Sequence, residues 1–173
     1  MAEKDPRPLD RRAQGSSEMA PNKPSGPKPD AMGAAFEAAR AAGAAGEVPV
    51  GAAIVRDGAI IAVAGNRTVL DRDPTAHAEM LAIRAAASAR GSERLTDCDL
   101  YVTLEPCAMC AGAISFARIR RLYYAAGDEK GGAVEHGPRF FAQPTCHHAP
   151  EIYGGIRASE AAGLLRDFFA ARR

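Results

Sequence analysis

Two short motifs constrain this chain most, because their side chains must converge on one point in the fold. The first, Thr75–Glu79, reads TAHAE and supplies one imidazole, followed two residues later by a carboxylate. The second, Glu105–Cys110, reads EPCAMC and supplies two thiols. Imidazole and thiolate are ligands that zinc prefers, and a set of three leaves one of its four positions open. The motifs therefore predict an open zinc site with a carboxylate beside it, formed by His77, Cys107, Cys110 and Glu79.

The spacing within each motif predicts which side chains share a helix face. A proline suits the first helical turn, so we expect a helix over 106–117 that begins at Pro106. Its two cysteines are spaced i, i+3 and lie on one face, where the helix dipole favours thiolates. A second helix over about 73–89 places His77 in its first turn, with Glu79 about 200° further round and therefore not a ligand.

Other interpretations of these residues are a structural zinc corner and a redox pair. The chain has no second C-x-x-C, and CAMC lacks the aromatic and glycine context of a redox motif. H-x-E followed by P-C-x-x-C is instead the signature of zinc nucleobase deaminases. On that interpretation Glu79 is the catalytic residue, because it takes a proton from water and donates it to a leaving amino group.

Composition limits the class of protein. The formal net charge of +1 gives no overall attraction to nucleic acid, so a polyanion would need a local basic patch. No apolar run approaches the ~20 residues of a membrane span. Without a secretory signal, the four cysteines are better explained by metal binding than by disulfides, and we expect a cytoplasmic protein.

The composition changes near residue 30. Residues 1–30 contain six prolines and no aromatic or β-branched residue. Such a segment buries too little apolar surface to offset its ordering entropy, so we expect a disordered N-terminal tail. Residues 31–173 are then the single deaminase domain.

Hydrophobic patterning predicts alternating helices and strands in that domain. Besides the two motif helices, helices are expected over 31–45 and 158–172, and residues 127–155 are loop-rich with a short helical turn at 138–142. Alternation of helices with strands predicts an α/β layered sheet. The strands are expected at Val50–Arg56, Ala59–Ala64, Asp99–Leu104 and Arg121–Ala126, the first two as a hairpin. The zinc site requires the third strand to lie beside that hairpin.

Together with several further segments, the motifs make the chain resemble the bacterial tRNA-specific adenosine deaminases, in the cytidine deaminase-like superfamily. The resemblance runs from about residue 31 to the end, and the segment 164–169 favours the tRNA branch. The matching segments outside the zinc motifs are Glu47–Gly51, Gly65–Arg67, Asp73–Pro74, Leu100–Leu104, Ala111–Ile114, Ala117–Ile119 and Leu164–Phe169.

The resemblance implies a fold and an activity. The expected fold is a three-layer α/β/α sandwich with a mixed five-stranded sheet. The expected activity is hydrolytic deamination of adenosine to inosine at wobble position 34 of a tRNA anticodon. The resemblance also implies one Zn²⁺ per subunit, a homodimer, and a tRNA anticodon stem-loop as the partner. The alternative is a deaminase of a free base or nucleoside, of the guanine or cytosine type.

The resemblance also implies substrate-binding residues. Asn66 matches a position that contacts the flipped nucleotide, although an asparagine after a glycine is also typical of a turn. The Ala78 N–H is expected to hold a ring atom of the base. Val48, Val50 and Leu104 are candidate pocket walls, with plain core residues as the alternative.

RNA contacts are predicted more broadly. Arg118, Lys130 and Arg172 are candidates for a phosphate-binding surface, although scattered charges are also typical of a solvated face. Phe168 and Phe169 have two expected roles. One ring docks the last helix on the core, and the other stacks on an anticodon-loop base.

Two loops leave the exact tRNA open. Residues 133–141 and 145–155 resemble one bacterial subgroup only. Cys98 and the Cys146–His148 run receive no role from the motifs, and we expect buried or loop residues rather than a second metal site.

Overall fold

The computed structural model describes residues 30–172, so the predicted tail lies outside the described residues except for Asp30. The described residues contain four α-helices and five strands. The helices are α1 (Ala31–Ala44), α2 (Ala78–Arg90), α3 (Ala108–Ala117) and α4 (Ala158–Ala170). The strands are β1 (Gly51–Arg56), β2 (Ala59–Gly65), β3 (Cys98–Leu104), β4 (Arg121–Ala126) and β5 (Glu151–Tyr153).

The five strands form one mixed sheet in the order β2-β1-β3-β4-β5. β1 pairs antiparallel with both β2 and β3, while β3, β4 and β5 run parallel. The pairing of β1 with β3 confirms that the strand before the cysteine motif lies beside the hairpin. The carboxyl ends of β3 and β4 therefore open at the same edge of the sheet.

Helices cover both faces of the sheet, which confirms the three-layer α/β/α sandwich. α1 and α4 pack on one face, and α2 and α3 pack on the other. Ile54, Leu100 and Leu122 point into the α2/α3 side and are fully buried. Phe36 of α1 fills the opposite side. Alternate residues of each strand thus serve the two cores.

Both motif helices begin later than predicted. The Asp73 carboxylate accepts hydrogen bonds from the Thr75 N–H at 2.8 Å and from its hydroxyl at 2.7 Å, which forms a turn instead of a first helical turn. α2 begins at Ala78 with His77 as its N-cap, and α3 begins at Ala108 with Cys107 as its N-cap. The predictions that His77 and Cys107 lie inside the first turn were wrong. Both ligands instead precede helix N–H groups that lack intrahelical partners.

β5 is a strand that the residue pattern did not predict. It is three residues long and pairs with β4 in the parallel register Tyr123↔Tyr153. Tyr101 and Tyr123 are paired in the same way between β3 and β4. The three rings stack with centroid distances of 4.5 and 4.9 Å, so a tyrosine ladder crosses three strands.

The described chain begins with a helix cap. Asp30 Oδ1 accepts the Gly33 N–H at 2.7 Å and caps α1. Asp30 therefore belongs with the folded part, one residue earlier than the predicted boundary. Within residues 30–172, no helix combines the length and the apolarity needed to cross a membrane.

Candidate active site

The two N-caps bring an imidazole and two thiols together. The ligand atoms of His77, Cys107 and Cys110 all lie within 4.8 Å of one another. His77 Nδ1 is 3.7 Å from Cys107 Sγ and 3.5 Å from Cys110 Sγ. Tetrahedral zinc with ordinary Zn–S and Zn–N bonds separates such atoms by about 3.6 Å. The donor set therefore fits one zinc ion, as the motifs predicted.

The electrostatics of the three donors also suit a cation. A hydrogen bond from the Cys110 thiol, followed by one from His77, lowers the pKa of Cys107 to about 4. The same hydrogen bond between the two sulfurs, together with burial, raises the pKa of Cys110. The hydrogen bond to Cys107 raises the pKa of His77. Negative charge is thus concentrated on sulfur beside an imidazole, and a divalent cation replaces the shared protons favourably.

Glu79 lies beside this cluster but outside the ligand set. It occupies the first turn of α2, two residues after His77, and is only 3% exposed. Burial raises the pKa of its carboxyl above the ordinary value, because the charged form loses water. A carboxyl group in this position can both hold and release a proton.

A cavity of about 300 Å³ opens onto the cluster. This volume lies at the lower end of the range of about 300–1,000 Å³ for small-molecule sites. Valine and leucine side chains give it apolar walls, and polar side chains complete the lining. Its lining residues are Val48, Val50, Asn66, Thr68, His77, Glu79, Leu104, Glu105, Cys107, Asp128 and Gly131. A cavity of 270 Å³ between α1 and β2 is similar in size, but alanines dominate its lining and it holds none of the three metal donors.

Asn66 and Ala78 are in direct contact, which changes what each can offer a ligand. Asn66 Oδ1 accepts the Ala78 N–H at 2.9 Å, and both residues are buried. The Asn66 side chain therefore keeps its NH₂ group as the remaining donor towards the cavity. The expected contact between the Ala78 N–H and a base stays a prediction, and it requires the bond to Asn66 to open.

Val50 and Leu104 serve both roles that the sequence left open. Each lines the cavity, and each also packs against the main hydrophobic core. Val48 does the same. The walls of the cavity are thus continuous with the core and have little freedom to move.

One wall of the cavity is held by a buried glutamate that the motifs did not single out. Glu105 accepts the N–H groups of Asp128, Val134, Glu135 and His136 at 2.8–3.0 Å. The His136 ring binds the same carboxylate at 2.5 Å. Burial alone would raise the pKa of Glu105, but these hydrogen bonds lower it to about 2. The signal available was a glutamate placed directly after a buried strand.

The predicted RNA-contact residues divide into two groups. Lys130, Phe169 and Arg172 line a cleft of about 650 Å³ that shares Asp128 and Gly131 with the cavity. Arg118 lies instead at the far end of α3, where its guanidinium donates to the His147 carbonyl at 2.8 Å. α3 begins at the metal ligands, so Arg118 lies about 15 Å from them.

The two phenylalanines of α4 differ in exposure. Phe169 is 50% exposed and faces the cleft. Phe168 is partly buried near Gly43, and the Arg172 guanidinium lies 3.6 Å from its ring centroid. This arrangement is compatible with one docking ring and one ring free for stacking, which remains a prediction.

The unassigned cysteines have local partners. Cys98 is fully buried beside Arg90 and Asp97. Cys146 Sγ lies 3.6 Å from the Ser115 hydroxyl, and His148 Nε2 lies 2.6 Å from the Ile119 carbonyl oxygen. These contacts fasten the 146–148 segment to the end of α3.

Comparison with known proteins identifies the family. The profile described as "Cytidine and deoxycytidylate deaminase zinc-binding region" matches residues 27–126. A tRNA-specific adenosine deaminase of Agrobacterium fabrum is 62% identical over 142 residues, which cover 82% of this chain and 93% of that protein. The chain belongs to the tRNA-specific adenosine deaminase family.

Solved structures of this deaminase superfamily have the same fold. One, from a study of A-to-I editing by tRNA:A34 deaminases at the wobble position, has a TM-score of 0.77 and 62% identity. The match covers 78% of this chain and 98% of that one. A guanine deaminase from Bacillus subtilis has a TM-score of 0.57 and 36% identity, covering 82% and 91% of the two chains. The fold therefore occurs with more than one substrate.

Proposed function

We propose that this protein is a zinc-dependent deaminase that converts adenosine to inosine at the wobble position of a tRNA anticodon. The observation that carries the proposal is the buried Glu79 beside the His77–Cys107–Cys110 cluster, in a chain 62% identical to a tRNA-specific adenosine deaminase. The reaction is hydrolytic. The adenine C6–N bond breaks, the amino group leaves as ammonia, and the oxygen of water becomes the 6-oxo group of inosine.

His77, Cys107 and Cys110 hold the metal, and Glu79 carries the proton. Bound zinc supplies Lewis acidity, which lowers the pKa of water to about 7. Glu79 accepts the proton of the attacking water and then delivers it to the departing nitrogen. One buried carboxyl group thus serves both proton transfers, because it lines the same cavity as His77 and Cys107.

The cavity walls position the base. Val50 and Leu104 offer apolar surfaces to a purine ring, while the Asn66 NH₂ group donates to an acceptor on the base or ribose. A nucleotide reaches this depth only when it is turned out of its stack. An unpaired anticodon-loop base meets that requirement at lower cost than a paired one.

The neighbouring cleft favours RNA over a free base. Lys130 and Arg172 carry positive charge and Phe169 offers an exposed ring, directly beside the cavity mouth. Flanking phosphates and bases can occupy this cleft while the target base enters the cavity. A free-base deaminase needs no such surface. Guanine deamination remains the second candidate because of the 36% identical guanine deaminase structure.

The decisive experiment is deamination of an anticodon stem-loop that contains a wobble adenosine, measured as inosine formed by purified zinc-loaded protein. We expect turnover of the stem-loop and little turnover of free guanine or cytosine. Rapid turnover of either free base without any inosine in the stem-loop would overturn the proposal. A stem-loop with the adenosine moved into the paired stem is the matched control.

We also propose a homodimer formed through the outer face of α3. Met109, Ala113 and Phe116 lie on one side of that helix, and Phe116 is 71% exposed. Sedimentation should give a dimer, and Phe116→Asp should shift it to the monomer. A wild-type monomer at micromolar concentration would contradict this.

The cytoplasm is the proposed location. A tRNA substrate is found there, and zinc-binding thiols stay reduced there.

A further inference from the structure

A second buried glutamate, Glu47, lies just before β1 and outside the metal site. Its side chain is only 1% exposed. Glu47 Oε1 accepts the N–H groups of Val69 at 2.9 Å and Leu70 at 2.8 Å. Glu47 Oε2 accepts the Thr68 hydroxyl at 3.1 Å. All three donors belong to the loop that follows β2.

These bonds are needed by both partners. A buried carboxylate is costly unless hydrogen bonds satisfy its oxygens, and among the described residues Glu47 finds its side-chain partners in this loop. The loop in turn forms a tight turn, in which the Asp71 N–H bonds to the Arg67 carbonyl. The first N–H groups of such a turn have no partner within it, and the carboxylate supplies one.

The same contacts join two walls of the cavity. Val48 and Val50 follow Glu47 directly and form one wall, while Asn66 and Thr68 from the loop form the next. Thr68 itself both lines the cavity and donates to Glu47. The Asn66 N–H bonds directly to the Val50 carbonyl at 3.0 Å, so the carboxylate fixes the Thr68 end of the second wall against the first.

We propose that Glu47 is a positioning residue for deamination, which acts by fixing the Thr68 end of the Asn66–Thr68 wall against the Val48–Val50 wall. The inference rests on the proposed function, because it concerns the placement of the base in the same cavity. Glu47 is absent from the cavity lining and from the metal cluster. It acts on substrate through Thr68, which lines the cavity, without touching the reacting atoms.

The chemistry of three replacements separates this role from a merely structural one. Glu47→Ala removes all three acceptors. Glu47→Asp keeps the charge but shortens the side chain by one carbon, so that the loop must shift to reach it. Glu47→Gln keeps one oxygen for the Val69 and Leu70 N–H groups and can donate its amide to Thr68, so it should restore the wall.

The test measures kcat and KM on the anticodon stem-loop, zinc content, and hydrogen exchange at the Val69 and Leu70 amides. A displacement of about 1 Å at a positioned group can cost up to a hundredfold in rate. We therefore expect kcat/KM to fall about tenfold or more in Glu47→Ala and Glu47→Asp, with zinc at the wild-type level. Exchange at the two amides should accelerate in both variants. Glu47→Gln should recover most of both properties.

Glu37→Gln is the matched control, because Glu37 is an exposed glutamate on α1. It should change none of these measurements. If Glu47→Ala does not fold, Glu47→Asp decides the question. Wild-type kcat/KM in Glu47→Asp, or accelerated amide exchange with unchanged kinetics, would overturn the proposal.

Failure of the proposed function would look different. The wild-type protein would then leave the stem-loop unmodified, whereas the exchange measurement would still report whether Glu47 orders the loop. The kinetic comparison would be repeated on the free base that the protein does turn over.

Discussion

Glu79 combines three properties that are seldom found together at one carboxylate. It is buried, it lies two residues from a metal ligand, and it lines the cavity. A charged group in such surroundings is costly, so its position is better explained by chemistry than by stability. Its loss should therefore affect turnover far more than folding.

The Glu79→Gln variant tests this directly. The substitution preserves the size of the side chain but removes its ability to transfer a proton. General acid–base catalysis typically contributes about 10²–10⁴-fold to kcat. We expect a loss of at least that order with zinc content and unfolding temperature close to wild type. Metal analysis and inosine formation on the stem-loop provide the measurement. Cys110→Ala is the contrasting variant, since it should lose zinc as well as activity.

The site residues differ in how far the sequence could reveal them. The cluster of His77, Cys107 and Cys110 was predictable, with Glu79 beside it as the proposed proton carrier, because zinc ligands require particular residue types at particular spacing. The contacts of Glu47 were not, and Glu105 offered only its place directly after a buried strand, because accepting main-chain N–H groups requires no particular residue types at a fixed spacing. Their partners lie in distant loops whose conformation only the fold determines.

At the scale of elements, the loop 127–136 depends on close packing around Glu105. A Cβ added at Gly132 would lie 2.6 Å from the Glu105 Cδ and 2.5 Å from the Asp128 carbonyl oxygen. Backbone and a fully hydrogen-bonded carboxylate cannot move away easily. Gly132 is therefore required, because the Asp128 carbonyl and the Glu105 carboxylate leave no room for a Cβ atom.

Gly132→Ala should accordingly destabilise the protein by about 1–3 kcal/mol, the usual cost of overpacking. Chemical denaturation measures the change. The matched control is Gly163→Ala within α4, where a Cβ would meet only the Arg166 side chain at 3.7 Å. That variant should be neutral or more stable by up to about 1 kcal/mol. Equal effects of the two substitutions would contradict the packing argument.

The same loop should make stability depend on pH through His136. Its hydrogen bond to Glu105 raises the pKa of His136, with smaller contributions from Glu129 and Glu135. Glu105 stays ionised, since its pKa is about 2. Because the pKa of His136 is higher in the folded than in the unfolded protein, its protonation stabilises the fold. This stabilisation is fully present below the unfolded-state pKa of about 6.5, and it is lost as the pH rises through the folded-state pKa.

His136→Gln should therefore lower the unfolding temperature most at about pH 6, and the difference from wild type should shrink towards about pH 9. Thermal unfolding of both proteins across this range is the measurement. A difference that grows with pH would show that the charged imidazole is not stabilising.

Element boundaries illustrate what local pattern can and cannot decide. β4 has the predicted bounds, because an apolar run between turn residues is unambiguous. α2 and α3 start later than predicted, because the Asp73 side chain and the metal ligands occupy the positions before each helix. β5 is too short to show any alternation and exists through its pairing with β4.

At the scale of the whole molecule, the cavity walls and the metal ligands all lie between residues 47 and 131. We propose that residues 31–173 are the deaminase domain and that the preceding tail is dispensable. Because Asp30 caps α1, the boundary for a truncation belongs before it.

Removal of residues 1–29 should leave stem-loop deamination and unfolding temperature nearly unchanged. Asp30→Ala in the full chain should instead cost about 1 kcal/mol, since it removes the cap of α1. Denaturation curves and kinetics on both proteins make the comparison. A large loss of activity in the truncated protein would show that the tail contributes to the reaction.

The tyrosine ladder across β3, β4 and β5 has a practical consequence. The chain has no tryptophan, and three of its four tyrosines are the stacked rings Tyr101, Tyr123 and Tyr153. Stacked chromophores couple their electronic transitions, so these rings should dominate the near-ultraviolet circular dichroism. The near-ultraviolet signal should therefore report on the parallel half of the sheet. Dissociation of the edge strand β5 from β4 can then be followed by spectroscopy without an added label.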